Sequence, residues 1–144
     1  MIILDTNVLS EAMRPEPAAS VMGWLAAQPR RDLRTTSISV GEILRGLYRL
    51  PEGRRRVDLE KRFHAFMWRA FRDDVLNFDA AAADAYARFA VQREQAGKAV
   101  TGPDAMIAGI AAAVAADIAT RNVADFLGCG MGLINPWEWQ GSAP

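Results

Sequence analysis

Met1-Ile2-Ile3-Leu4-Asp5-Thr6-Asn7 opens the chain, four apolar residues running straight into an acid, a hydroxyl and an amide. A short apolar run with a turn signal behind it reads as a fully buried strand. Asp5 then stands at the carboxyl end of that strand, and in open α/β sheets ligands bind in the crevice outside those ends. Taken alone, Asp5 also has a purely structural explanation. Thr6 or Asn7 would cap a helix over residues 8–13, and the acid would favour its positive end.

Working outward, the pattern alternates. A helix over residues 18–28 ends at Pro29, and residues 33–37 read as a second strand. Ser39-Val40-Gly41-Glu42 opens a helix to about Leu50, and Pro51-Glu52-Gly53 is a turn. Residues 54–73 form the longest helical pattern, with Leu59, Phe63, Phe66, Met67 and Ala70 at three- and four-residue spacing. Strands follow at 75–78, 117–120 and 132–135. Helices fill 79–97, 101–116 and 122–127, the second of these rich in small residues nearly all round, as suits a helix pressed against other backbones. Strands alternating with helices give an α/β chain with a parallel sheet covered on both faces. Residues 1–140 read as a single domain and residues 141–144 as a frayed tail.

Composition narrows the class. The 144 residues suit one core, and about half of them are apolar. Formal net charge is zero, which argues against a bulk polyanion binder but allows a local basic patch. Arg supplies fifteen of the seventeen basic residues, and Arg is well shaped for phosphate. A lone Cys129 and a lone His64 leave no disulfide framework and no Cys-based zinc site. The first residues already read as a strand rather than a leader, and the longest apolar stretch, residues 105–116, is too short to span a bilayer. A soluble, cytoplasmic protein without membrane contact is expected.

Four places combine an acid with the start of a helix: Asp5, Glu42, Asp104 and the pair Asn122/Asp125. Each alone fits helix capping. Ser39-x-x-Glu42 has the form of a capping box, Asn122-x-x-Asp125 nearly so, and Pro103-Asp104 is a standard first turn. Together they mean more. If the strands are parallel, all four lie on one edge of the sheet. Carboxylates about 4 Å apart repel by roughly 1 kcal/mol in water and by several times that when partly buried. A cation would neutralise them, and an all-oxygen set suits Mg²⁺ or Mn²⁺. Such an ion activates water and steadies charge on a phosphoryl group. Asp79 also follows a strand but reads as a cap only.

Five motifs carry a family resemblance. They are Ile3-Leu4-Asp5-Thr6-Asn7, Ser39-Val40-Gly41-Glu42-Ile43-Leu44-Arg45-Gly46, Pro103-Asp104-Ala105-Met106-Ile107-Ala108, Thr120-Arg121-Asn122-Val123-Ala124-Asp125-Phe126 and Asn135-Pro136-Trp137. In this order the chain resembles the PIN-domain ribonucleases, specifically toxins of the VapC/FitB type from bacterial toxin–antitoxin pairs. The resemblance implies a three-layer α/β/α sandwich around a five-stranded parallel sheet. It also implies a metal-dependent endoribonuclease restrained by a cognate antitoxin, and a homodimer. By motif position it gives Asp5, Glu42 and Asp104 to the metal site. The fourth acid occurs in the family in two versions, at the position of Asn122 or three residues later. This chain has the second, which assigns Asp125 as ligand and Asn122 as an orienting cap. Thr6 and Thr120 either orient the carboxylates or cap their helices.

An RNA substrate needs cations beside an acidic pocket. Arg45 lies one turn after Glu42 and Arg121 lies beside the fourth motif, so either could grip a phosphate. Arg30-Arg31 and Arg54-Arg55-Arg56 read as solvated surface, and Trp137 and Trp139 as packing. The competing readings are a metal-dependent DNA nuclease or phosphatase, and a non-catalytic module acting in a protein–DNA complex with an antitoxin. The absence of an Asp-x-Asp after the first strand weakens the phosphatase version.

Overall fold

The computed structural model describes residues 1–72 and 74–141. Five strands, β1 (Ile2–Leu4), β2 (Leu33–Thr36), β3 (Val75–Leu76), β4 (Asp117–Ala119) and β5 (Leu133–Ile134), form one sheet in the order β3-β2-β1-β4-β5. Every pairing is parallel, with Ile2 beside both Leu33 and Asp117, Thr36 beside Leu76 and Ala119 beside Ile134. The chain moves outward in one direction from β1 to β3 and then returns to the other side of β1 for β4. The topological switch therefore falls at β1, where α/β sheets open a crevice.

Among the described residues seven α-helices connect the strands: α1 (Thr6–Ala12), α2 (Ala19–Ala27), α3 (Ser37–Tyr48), α4 (Arg54–Phe71), α5 (Ala80–Gln95), α6 (Gly102–Val114) and α7 (Val123–Phe126). Alternation along the strands divides the core in two. Ile3 and Ile118 point to a cluster with Phe89, Ile107, Ile110 and Phe126, built on α5, α6 and α7. Leu4 and Ala119 point the other way, to Val8, Trp24, Phe63, Met67 and Phe71 on α1, α2 and α4. The result is the three-layer α/β/α sandwich that the motifs imply. Each large apolar side chain fully buried this way contributes about 1.5–3 kcal/mol.

The small-residue character of α6 has a visible cause. A Cβ on Gly109 would stand 2.5 Å from the Ala82 carbonyl oxygen and 2.8 Å from the Tyr86 nitrogen, so α5 and α6 approach backbone to backbone. This fixes the helix that carries Asp104.

Local boundaries differ from the sequence reading where polar side chains compete for the backbone. Helix α3 begins at Ser37 rather than Ser39. Thr36, still extended, accepts the Ser39 N–H at 3.1 Å and so is the cap. The Ser39-x-x-Glu42 capping box does not form, and Glu42 sits one and a half turns into the helix. Helix α1 is capped by Asp5 itself, not by Thr6 or Asn7. Asp79 caps α5 as expected, accepting the Ala82 N–H at 2.9 Å. Helix α6 stops at Val114, where Ala115 turns left-handed (φ 53°). The long helix α4 closes on Arg72 (φ 49°), and Asp73, expected as its last residue, lies outside the described residues. So do residues 142–144 of the expected tail. Among the described residues no helix is long and apolar enough to cross a membrane.

Candidate active site

Asp5 organises the carboxyl edge of the sheet. Its N–H continues the β1–β4 ladder to the Ala119 carbonyl at 2.9 Å, which pins the residue beside Thr120. One carboxylate oxygen accepts the Thr6 N–H at 2.7 Å. The other accepts the Thr120 hydroxyl at 2.8 Å and the Asn7 amide at 3.2 Å. Asp5 is only 3 % exposed. Burial pushes its carboxyl up to about 6, and the charges of Asp104 and Glu42 push the same way, against the Thr120 and Thr6 hydrogen bonds.

Glu42 reaches the same edge from α3. The Thr6 hydroxyl lies 2.7 Å from Glu42 Oε1 and 2.9 Å from Ser39 Oγ. A carboxylate only accepts, so Thr6 donates to Glu42 and receives the Ser39 proton. Thr6 thus offers its N–H to Asp5 and its hydroxyl to Glu42, which ties two like charges to one residue.

Asp104 arrives from the opposite side, in the first turn of α6, where the Thr101 hydroxyl accepts its N–H at 3.2 Å. Its carboxyl is also raised, first by burial and then by the charges of Asp125 and Glu42, with hydrogen bonding from Thr101 in opposition. Repulsion therefore runs from Glu42 to Asp5 and Asp104, from Asp104 to Asp5, and from Asp125 to Asp104. All four acids belong to one electrostatic neighbourhood. Among the described residues no three of them stand close enough, as placed, to grip one ion. The donor set is nonetheless all carboxylate oxygen, with His64 exposed on α4 and Cys129 beyond α7, which fits a hard divalent cation.

The fourth motif divides differently from the expectation. Asn122 stands at the start of α7, but its side chain makes no capping bond; the Asp125 N–H goes to the Asn122 backbone carbonyl at 3.0 Å. The Asn122 N–H is given to the Thr120 hydroxyl at 3.0 Å. That hydroxyl therefore joins the α7 approach directly to Asp5. Asn7, expected only as a candidate helix cap, completes the link: its amide donates to Asp5 and its oxygen accepts the Arg121 N–H at 3.2 Å.

Arg45 and Arg121 are both exposed near this edge, and neither makes a side-chain hydrogen bond to the acids among the described residues. The Arg121 guanidinium lies over the Trp137 ring, 5.0 Å from its centroid. Trp137 and Trp139 are partly buried against the α1/α2/α4 core. A largely apolar groove lies elsewhere, between α1, α3 and α4, lined by Met13, Ile43, Leu47 and Phe66. Among the described residues no acid lines it.

The family model for the PIN domain matches residues 2–126, a span that includes all four acids. The chain belongs to the PIN domain family. Relatives extend the likeness over nearly the whole length. The plasmid stability protein StbB of Pseudomonas syringae pv. tomato is 40 % identical over 138 residues, 96 % of this PIN domain chain and 99 % of that protein. A VapC ribonuclease of Sinorhizobium fredii is 38 % identical over the same shares. Among solved structures, a chain of the FitAB complex bound to a DNA fragment superposes with a TM-score of 0.88 at 31 % identity, covering 99 % of this chain and 100 % of that one. Four of the five motifs read in the sequence lie within the matched residues, and Asn135-Pro136-Trp137 lies beyond them.

Proposed function

We propose that this chain is a Mg²⁺- or Mn²⁺-dependent endoribonuclease, the toxin of a bacterial toxin–antitoxin pair acting in the cytoplasm. The observation that carries the reading is the mutual repulsion of Asp5, Glu42, Asp104 and Asp125 at the switch point of a parallel sheet, with Asp5 raised to about 6. The likeness to a VapC ribonuclease supports RNA as substrate, and the likeness to a chain of a FitAB complex supports an antitoxin partner. Asp5, Glu42, Asp104 and Asp125 would hold a divalent cation, which would lower the pKa of an attacking water and offset charge on the phosphoryl group.

The chain's own residues supply the frame. Thr6 N–H, Thr120 and Asn7 fix Asp5 in one rotamer, and Thr6 fixes Glu42 beside it. Asp104 and Asp125 bring the remaining charge from α6 and α7. Arg45 and Arg121 flank the edge as phosphate contacts, the Arg121 guanidinium lying over the Trp137 ring. A homodimer is part of the proposal, with α4 as one surface available for it.

The test is cleavage of a mixed-sequence RNA by the purified chain with Mn²⁺, with EDTA, and as Asp104→Asn. Cutting with Mn²⁺ that stops in EDTA and in the variant is expected. Cutting that persists in Asp104→Asn would sink the assignment of the site, and addition of the cognate antitoxin should suppress the wild-type activity.

A further inference from the structure

Arg93 is a buried charge that none of the chemistry above uses. It lies in the last turn of α5, 6 % exposed, and no carboxylate pairs with it among the described residues. Its guanidinium is spread over backbone oxygens instead. Nη1 donates to the carbonyls of Ala124 at 3.2 Å and Leu127 at 3.3 Å, and Nη2 to the carbonyl of Ala99 at 2.9 Å. Nε has no partner.

The two segments so joined are those that bring Asp125 and Asp104 to the site. Ala124 on α7 and Leu127 just past its end flank Asp125, and a helix of four residues cannot hold itself. Ala99 lies two residues before Thr101, whose hydroxyl accepts the Asp104 N–H. Asp104 and Asp125 repel each other. Segments carrying like charges toward one point need a tie, and Arg93 supplies one from behind. Among the described residues no other side chain bonds both.

We propose that Arg93 is a positioning residue, whose forked guanidinium sets the separation of Asp104 and Asp125 by holding the α5–α6 loop and α7 together. The inference rests on the reading of those two acids as cation ligands. The fork matters more than the charge. A lysine ammonium is a point donor on a flexible stem and cannot span two segments in a fixed geometry.

The test compares wild type, Arg93→Lys and Arg93→Met. Amide hydrogen exchange in EDTA reads the tie without any metal. The Asp104 and Asp125 amides should exchange faster in Arg93→Lys while the Asp5 amide, just after β1, stays as protected as in wild type. Mn²⁺ titration should then show affinity weakened about tenfold or more, and RNA cleavage a lowered kcat with little change in KM. Arg93→Lys keeps a cation in place should Arg93→Met fail to fold. Unchanged exchange in both segments overturns the tie. Faster exchange with unchanged Mn²⁺ affinity and unchanged kcat overturns the positioning role. If wild type itself neither binds Mn²⁺ nor cuts RNA, the functional proposal falls instead, and the exchange comparison alone decides the tie.

Discussion

Thr120 gives its hydroxyl proton to Asp5 across 2.8 Å, joining the ends of two neighbouring parallel strands that lie 115 residues apart in the chain. The same oxygen accepts the Asn122 N–H. One buried hydroxyl thus links the acid at the switch point to the approach of α7. Thr120→Val keeps the shape and deletes the link. It leaves the Asn122 N–H without this acceptor and removes a bond that holds the Asp5 carboxyl down. We expect a loss of about 1–3 kcal/mol in chemical denaturation and an Asp5 titration midpoint, followed by carboxyl ¹³C NMR, above the wild-type value of about 6. Unchanged stability with an unchanged midpoint would remove Thr120 from the site.

Asp5 also makes the metal-free protein sensitive to pH. Its folded pKa of about 6 lies above the ordinary value of 3.8, so between these values the folded state holds more protons than the unfolded one. Stability contributed by the protonated form is complete below about 4 and is lost as pH rises through about 6. The shift corresponds to a few kcal/mol, on the order of 1.4 per unit. Denaturation of wild type and Asp5→Asn in EDTA, compared from pH 4 to 8, isolates this group. Relative to the variant, wild type should weaken as pH rises; a difference that is flat with pH would contradict a raised Asp5.

Cation binding should reverse that penalty. Melting temperature is expected to rise with Mn²⁺ in proportion to RT ln(1 + [L]/Kd), because only the folded chain assembles the acids. Asp5 must lose its proton to serve as a ligand, so the rise should be larger above pH 6 than at pH 5 and absent in Asp5→Asn. An equal rise in variant and wild type would indicate ions bound elsewhere.

Much of this was legible in the sequence, and the reasons are physical. The buried strand of residues 2–4 is apolar on both faces because both faces are covered, and it runs directly into Asp5. The alternation of strands and helices fixed the edge on which Glu42, Asp104 and Asp125 would gather. Caps were less legible. Thr36, Ser37 and Ser39 all offer hydroxyls within four residues, and only the extended backbone of Thr36 decides among them. Arg93 gave no signal, since a lone Arg near a helix end reads as solvated surface until its carbonyl partners are known.

Helix α4 carries large apolar residues around more than half its circumference, Phe63, Phe66, Met67, Trp68 and Phe71, more than one core-facing stripe needs. The structure separates these residues. Phe63, Met67 and Phe71 are core, whereas Trp68 is 61 % exposed. Phe71, only 7 % exposed, is a poor probe, and Phe71→Glu should unfold the chain, since removing a core aromatic alone costs about 3–5 kcal/mol. Trp68→Glu should leave the melting temperature within a degree or two and weaken self-association or antitoxin binding in sedimentation. Association indifferent to Trp68→Glu would move the interface off this face.

Asn122 and Asp125 can be told apart by what each side chain leaves behind. Asn122 is exposed and spends no side-chain atom on capping α7, so Asn122→Ala removes no cap bond and should stay within about 0.5 kcal/mol of wild type. Asp125 is half-buried, and its charge helps raise the Asp104 carboxyl. Asp125→Asn should therefore lower the Asp104 midpoint, weaken Mn²⁺ binding and cut turnover, with the backbone bond from residue 125 to the Asn122 carbonyl intact. Asn122→Asp adds a carboxylate at the start of the same short helix, where negative charge is favoured, and should keep activity with equal or tighter Mn²⁺ binding. The comparison that decides is Asp125→Asn against Asn122→Ala in one cleavage assay with one Mn²⁺ titration. Loss of both readouts in Asn122→Ala, with Asp125→Asn fully active, would make Asn122 the ligand and reverse the assignment.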